Sequence, residues 1–403
     1  MHTAEDSRWM AQALHLAERG LYSASPNPRV GCVLVAGEEP VGSGWHRRAG
    51  EPHAEVHALR EAGDKARGAT VYVTLEPCSH HGRTPPCADA LIAAGVARVV
   101  VAVQDPNPKV AGEGIAKLRA AGITVECGLM EAVARELNAG FFARMTRGTP
   151  LVRSKIAMSL DGRTALANGV SKWITGEAAR LDVQHWRARS CAVLTGIATV
   201  LADDPQLNVR DVAALTGSGV ALGCGRGGQA ADCASEVSIG HQAVERQPLR
   251  AVLDSQLRIP LTARILHSLP SPSGRGEGER VVVYTATQGA QKIAALEKAG
   301  AAVIVLPNEN GQVDLPAMLR DLAQRGCNEV LLEAGSTLNG AVLRAGLVDE
   351  LLLYVAPQLL GDAARGVAQL GELTSLDRRI DLMWRDVRQI GNDLRITAKV
   401  GNV

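Results

Sequence analysis

Two stretches near the amino terminus hold the side chains best suited to chemistry. GEPHAEVHALR (50–60) carries His53 and Glu55, and TLEPCSHHGRTPPC (74–87) carries Cys78 and Cys87 with His80 and His81 between them. One imidazole and two thiolates can hold a zinc ion and leave its fourth position open. Zinc in such a site lowers the pKa of bound water toward neutrality. A carboxylate that is not itself a ligand must then move protons, and Glu55 is the candidate. Prolines stand before His53 and before both cysteines. If the ligands open helices, the amino-terminal dipoles favour the thiolate forms. Two other readings stand beside this one: a Cys78–Cys87 disulfide, and a structural zinc site with His80 or His81 as fourth ligand. Both histidines fit better in a loop that faces a substrate.

The elements that must position these groups follow from short apolar runs. VGCVLVA (30–36), ATVYVTL (69–75), ARVVVAV (97–103) and ITVECG read as strands, separated by helices of about ten residues. That alternation predicts an α/β layered domain with parallel strands. Gly63, Gly95 and Gly122 sit where helices should end. Cys32 and Cys127 fall on strands and read as core, and His57, one turn after His53, reads equally well as packing. An amphipathic helix opens the chain, with Trp9, Ala13, Leu16 and Ala17 at helical spacing. A helix over about 130–146 runs into Gly148 and Pro150, which mark a boundary between domains 1–148 and 149–403.

The second domain repeats the α/β pattern through VRSKIAM, CAVLTG, RAVLDS, RVVVYT, AAVIVLP, NEVLLEAG and DELLLYVA. Gly/Ser-rich stretches at 215–237 and 269–280 interrupt it and read as flexible loops. Their glycines do not join a strand to a helix, so they are not a dinucleotide fingerprint. Cys224 and Cys233 lack the paired spacing of a second zinc site. Glycine at the strand-to-helix step after Glu333 can offer backbone amides to a phosphate, or can simply make a tight turn. ATVLADDPQLNVR (198–210) groups Thr199, Asp203, Asp204 and Arg210 in a polar loop.

Composition excludes several roles. The 43 Lys and Arg residues nearly balance the 42 Asp and Glu, with aromatics at 3%. A basic groove with stacking platforms for nucleic acid therefore has little support, although a zinc-stabilised nucleic-acid-binding protein is the rival from another class. No stretch approaches the roughly 20 apolar residues of a membrane span, and no secretory signal opens the chain. A cytoplasmic location and reduced cysteines are expected, which makes the disulfide the weakest alternative.

His-x-Glu followed by Pro-Cys and a second Cys is close to the signature of zinc nucleobase deaminases, which spaces its cysteines by two residues rather than eight. The insertion SHHGRTPP is itself informative. With PNPRVG, HAEVHAL and QDPNPKVAGEG (104–114), it resembles the deaminase half of the bifunctional riboflavin-biosynthesis deaminase–reductases. SKIAMSLDGRTA, SKWITG, TVLADDPQLNVR and LLEAGSTLNGA resemble the reductase half.

This resemblance implies a cytidine-deaminase-like α/β/α sandwich followed by a dihydrofolate-reductase-like α/β domain. It implies zinc on His53, Cys78 and Cys87, one ion per chain, with Glu55 as proton shuttle. The implied substrate is a diaminopyrimidinone bearing a phosphoribosylamino group, with Asn27 on its ribose and Arg83 and His46 toward its phosphate. NADPH would then reduce the sugar to a ribityl chain. Carried over by position, Ala157, Trp173, Thr199, Asp203, Ser255 and the turn Gly335, Ser336, Thr337, Leu338, Asn339, Gly340 and Ala341 would contact NADPH. Ser171, Arg187, Leu207, Arg210 and Glu333 would contact substrate, Arg187 and Arg210 as phosphate clamps. Lys155 is the candidate for polarising the sugar oxygen. A homo-oligomer is expected. A hydrolase that keeps only the deaminase is the nearer rival.

Overall fold

Valine-rich runs build the sheet of the first unit, Met1–Pro150, and a longer series builds that of the second, Leu151–Val403. The computed structural model describes residues 2–80, 85–108, 110–210, 246–267 and 281–401. His81, Arg83 and both Gly/Ser-rich stretches lie outside the described residues.

In the first unit the strands are β1 (Gly31–Ala36), β2 (Glu39–Trp45), β3 (Thr70–Val73), β4 (Arg98–Val101) and β5 (Thr124–Cys127), arranged β2-β1-β3-β4-β5. Helices α1 (Ala4–Glu18), α2 (Ala54–Ala62), α3 (Cys87–Ala94), α4 (Glu113–Ala120), α5 (Glu131–Leu137) and α6 (Ala139–Arg147) complete it. Helix α1 packs on β1 and α5, while α2, α3 and α4 pack in series. Only β3, β4 and β5 are parallel; β1 runs antiparallel to both neighbours. The all-parallel expectation fails because β2, EPVGSGW, carries no apolar run to announce it. It folds back on β1 through Gly37, whose φ of 64° suits a tight reversal.

Glycines let the helices press close to this sheet. A Cβ at Gly31 would stand 1.9 Å from the Ala13 carbonyl oxygen of α1. At Gly42 and Gly44 it would stand 2.2 Å and 2.6 Å from the carbonyl oxygens of Ala58 and Ala54 in α2. The expected helix over 130–146 is broken at Asn138 (φ −112°, ψ 20°). The Asn138 side chain accepts from the Arg29 N–H at 2.8 Å and donates to the Arg29 carbonyl at 2.9 Å, pairing with that segment as a strand would. Cys32 is buried as expected, whereas Cys127, on the outermost strand β5, is exposed.

The second unit contains β6 (Leu151–Ser159), β7 (Arg163–Ala165), β8 (Ala192–Gly196), β9 (Leu249–Leu253), β10 (Val281–Thr285), β11 (Ala301–Val305), β12 (Glu329–Glu333), β13 (Glu350–Ala356), β14 (Arg365–Gly366), β15 (Leu382–Ile390) and β16 (Asp393–Val400). Its nine-stranded sheet runs β11-β10-β9-β8-β12-β6-β13-β16-β15 and is parallel as far as β13. The β15–β16 hairpin adds two antiparallel strands beyond the last run read from the sequence. Helices α7 (Glu177–Arg189), α8 (Ile197–Asp203), α9 (Ala290–Lys298), α10 (Leu315–Gln324) and α11 (Ser336–Arg344) connect the strands. Central strands such as β8 and β12 are buried along nearly their whole length, as parallel strands covered by helices must be. Among the described residues no helix is long and apolar enough to cross a membrane.

Candidate active sites

His53 is the residue that caps α2, and Cys87 is the first residue of α3. Cys78 lies in the loop that follows β3. The three donor atoms fall within 4.8 Å of one another. His53 Nδ1 is 3.2 Å from Cys87 Sγ and 3.6 Å from Cys78 Sγ. Zinc–ligand bonds of 2.0–2.3 Å in a tetrahedron need nitrogen–sulfur edges of about 3.5 Å, so this donor set fits zinc. The Cys87 N–H, at the start of α3, donates to Cys78 Sγ at 3.3 Å. Hydrogen bonding from the Cys87 side chain, and then from His53 and that N–H, holds the Cys78 thiol down at about 4. Cys87 is pushed up by sharing the same proton.

Glu55 lies on the first turn of α2 and is 3% exposed. Burial pushes its carboxyl up to about 7, against the opposing pull of His53. Its Oε2 is buried without a hydrogen-bond partner among the described residues. A buried carboxyl with one free oxygen and a near-neutral pKa is suited to taking up and releasing protons.

Asn27 and His46 stand together beside this centre. Asn27 Nδ2 donates to His46 Nε2 at 3.0 Å, and His46 Nδ1 donates to the Pro52 carbonyl at 3.2 Å. Burial lowers the His46 pKa to about 4, and its ring meets the His53 ring edge-on at 5.2 Å. Both ring nitrogens of His46 are thus engaged and the ring is 2% exposed, so in this structure it braces the residue before His53. His80 is exposed, away from the ligand set. His57 Nε2 is buried and unpartnered among the described residues.

Glu76, two residues before Cys78, is a buried carboxylate that no local sequence pattern marks. It accepts the backbone N–H groups of Asp105, Gly112, Gly114 and Ile115 at 2.9–3.2 Å. Asp105 is buried as well, and its carboxyl is pushed up to about 6 by that burial. Both lie inside stretches already quoted, but the donors to Glu76 are 29 to 39 residues away in the chain.

The second unit holds a cavity of about 2000 Å³. Strands β8, β9 and β12 end at it with Gly196, Leu253 and Glu333, so it occupies the crevice at the carboxyl ends of parallel strands. Small-molecule pockets are commonly about 300–1,000 Å³, so there is room here for two ligands at once. Lys155 and Ala157 of β6 line one wall. Ser171 and Trp173 come from the segment before α7, Thr199 and Asp203 from α8, and Leu207, Arg210 and Ser255 from loops. Trp173 is 69% exposed and stacks against the Arg180 guanidinium at 4.5 Å. Asp203 pairs with Lys172 at 3.1 Å. Arg180, Arg258 and the loop around Asn308 also line the cavity, and nothing local in the sequence marked them.

Arg187 and Glu333 form a bidentate ion pair on the cavity wall, at 2.6 Å and 2.9 Å. Arg187 Nη1 also donates to the Asn208 carbonyl at 3.1 Å. The guanidinium expected to clamp a phosphate is thus already engaged by a carboxylate, while Arg210 remains exposed at the cavity. Burial works against the Glu333 charge, but Arg187 holds its carboxyl down at about 2. Burial lowers the Lys155 pKa, with Arg187 adding to the effect and Glu333 opposing it.

The turn after Glu333 divides in two. Gly335, Ser336, Thr337, Leu338 and Ala341 line the cavity; Asn339 and Gly340 do not. Asn339 is 1% exposed, accepts from Ser154 Oγ and donates to the carbonyls of Ala334 and Val367. A Cβ at Gly340 would stand 2.2 Å from the Gln369 carbonyl oxygen. Both face away from the cavity because they lie on the side of α11 that packs inward, which corrects their reading as cofactor contacts.

Comparisons with known proteins cover both units. The family model described as "Cytidine and deoxycytidylate deaminase zinc-binding region" matches residues 3–103, and that of the "RibD C-terminal domain" matches 150–396. The riboflavin biosynthesis protein RibD of Escherichia coli is 47% identical over 97% of this chain and 98% of its own. That of Haemophilus influenzae is 44% identical over 98% and 97%. A solved structure of Acinetobacter baumannii RibD aligns with a TM-score of 0.83 at 45% identity, covering 98% of this chain and 99% of that one. A Thermotoga maritima structure, described as a diaminohydroxyphosphoribosylaminopyrimidine deaminase/5-amino-6-(5-phosphoribosylamino)uracil reductase, aligns at 0.77 and 29% identity, with the same coverage.

Proposed function

This chain belongs to the RibD family, bifunctional deaminase–reductases of riboflavin biosynthesis, and we infer that it acts twice on one phosphorylated pyrimidine in the cytoplasm. The first unit removes the 2-amino group of 2,5-diamino-6-(5-phosphoribosylamino)pyrimidin-4(3H)-one. The second reduces the ribosyl side chain of the product to a ribityl chain, with NADPH as reductant. The grouping of His53, Cys78 and Cys87 beside a buried Glu55, one of whose oxygens has no partner among the described residues, carries this reading.

In the deamination, His53 Nδ1 and the two cysteine sulfurs would hold a zinc ion, whose chemistry would be to lower the pKa of water. Glu55 takes one proton from the attacking water as it adds to the ring carbon bearing the amine, and passes it to the ring nitrogen. The same carboxyl then carries the proton of the new hydroxyl to the amine nitrogen, so that the carbonyl forms as the C–N bond breaks and ammonia leaves. Asn27 contacts the ribose, and Arg83 meets the phosphate.

In the reduction, NADPH would supply the hydride when bound. Lys155 donates a proton toward the sugar oxygen as the ring opens. Arg210 holds the phosphate, and the Arg187–Glu333 pair orients the substrate without carrying net charge into the cavity. Ala157, Trp173, Thr199, Asp203, Ser255 and the outward face of the Gly335–Ala341 turn hold the dinucleotide, and Ser171 and Leu207 complete the substrate side. The full chain works as a homo-oligomer, which sedimentation can read directly.

The test follows nicotinamide absorbance with the purified chain, supplied with the diamino substrate or with the already deaminated pyrimidine. Wild type should oxidise NADPH with either. Glu55→Ala should do so only with the deaminated one. Failure of wild type with both substrates would withdraw the reductase assignments from Lys155 onward.

A further inference from the structure

The Cys78-bearing loop is held from several sides. The Thr74 N–H donates to the Gly31 carbonyl, and the Gly31 N–H returns a bond to Thr74 Oγ1, both at 3.1 Å. The Ala88 N–H donates to the Cys78 carbonyl at 3.1 Å. Between these anchors lies Glu76, 4% exposed, whose N–H donates to the Val103 carbonyl at 3.0 Å. Its Oε2 accepts from Asp105 and Gly112, and its Oε1 from Gly114 and Ile115. One carboxylate thus closes the loop before α4 and the first turn of that helix against the cysteine loop. The packing there leaves no slack: a Cβ on Gly114 would lie 1.9 Å from the Pro77 carbonyl oxygen.

Among the described residues this carboxylate has no cationic partner, and burying such a group is costly unless its lone pairs are used. Four N–H donors and the positive end of α4 meet that need here. An apolar residue here would leave four backbone N–H groups without their acceptor; a carboxylate tied to all four fixes one geometry. We propose that Glu76 is a positioning residue of the deaminase centre. It ties the Cys78 loop to the start of α4 and so sets where Cys78 Sγ stands relative to His53 and Cys87. This rests on the reading of those three residues as the zinc site.

The experiment uses the full zinc-loaded chain and compares wild type with Glu76→Gln and Glu76→Asp. The readouts are the rate of zinc release to a chelator, the thiolate-to-metal absorption of the cobalt(II)-substituted protein, and kcat and KM for ammonia release. Losing a partner one shell out from a metal commonly costs about 10–100-fold in metal affinity or activity. Glu76→Gln should release zinc about 10–100-fold faster, with a shifted cobalt spectrum and a comparable fall in kcat at nearly constant KM. Glu76→Asp, which keeps the charge but reaches fewer donors, should fall between the two. Reduction of the deaminated pyrimidine should be unchanged.

Wild-type zinc release and cobalt spectrum in Glu76→Gln would overturn the proposal, as would losses that track only the unfolded fraction. If Glu76→Gln yields no folded first unit, Glu76→Asp is judged by the same readouts. A wild-type chain that binds no zinc would instead overturn the underlying site assignment, so the two failures are distinguishable.

Discussion

Replacing Gly44 by Ala tests whether the deaminase site depends on how closely α2 lies against β2. The glycine has ordinary backbone angles, so the added methyl acts only through space. It would stand 2.6 Å from the Ala54 carbonyl oxygen, 2.6 Å from His57 Cβ and 2.9 Å from the Ala58 nitrogen. An unstrained carbon contact begins near 3.4 Å, so α2 must withdraw by about 0.8 Å. Most of the obstructing atoms are backbone, which no rotamer change can move aside. His53 and Glu55 are on the first turn of that helix and move with it. Overpacking of this kind costs about 1–3 kcal/mol, and a misplacement near 1 Å in a reacting group costs about 100-fold in rate. Gly44→Ala should therefore lower kcat for ammonia release by about 10–100-fold and lower the melting temperature of the first unit. Reduction of the deaminated pyrimidine by the same preparation serves as the control and should be unaffected. Wild-type ammonia release from a folded variant would refute the reasoning, because it would mean that the centre does not ride on α2.

Other outcomes follow from the same geometry. Dialysis against a chelator should abolish ammonia release while leaving reduction of the deaminated pyrimidine intact, with activity restored by one equivalent of zinc; loss of both activities would contradict separate chemistry in the two units. Asn339→Ala should destabilise the second unit by about 1–3 kcal/mol in denaturant and leave the KM for NADPH within about twofold; a large rise in KM would return Asn339 to the cofactor site. Arg187→Ala leaves the partly buried Glu333 without its bidentate partner, with only the Lys155 and Arg210 charges nearby, and should cost up to about 3–5 kcal/mol. In wild type the Glu333 carboxyl is depressed from 4.5 to about 2. Its contribution to stability is therefore present above pH 4.5 and lost as pH falls through 2. Denaturation midpoints of wild type should fall across that window. Those of Arg187→Ala should lack this component, and parallel curves would reject the pair's role.

The zinc centre was legible because its donors sit in two short stretches whose residue types suit one chemistry. Glu55 was legible for the same reason. The cavity of the second unit was legible only through resemblance: Lys155, Asp203, Ser255 and Glu333 come from segments scattered over almost 180 residues, and no local pattern links them. Helical periodicity could have refined the Gly335–Ala341 turn, since Asn339 and Gly340 lie on the inward side of α11 and Leu338 and Ala341 do not. The antiparallel β1 escaped notice because a glycine-rich partner strand looks like a loop. Glu76 escaped because a carboxylate's four backbone donors leave no mark in composition. The pairing of Arg187 with Glu333 was equally hidden, since charge alone does not say whether an arginine awaits a ligand or already has a carboxylate.

The joint between Asn138 and Arg29 has a consequence for which substitutions the first unit can accept. An amide side chain there presents one donor and one acceptor at the spacing of a peptide group. Aspartate, one base change away in the genetic code, keeps the acceptor but turns the other oxygen against a carbonyl. Glutamine keeps both groups and places them a carbon too far. Slow hydrolysis of the amide with age would make the same change as the aspartate substitution, and the 2% exposure of Asn138 shields it from the water that reaction needs. A single side chain that replaces a piece of main chain is thus a narrow gate for sequence drift and a slow clock for chemical decay.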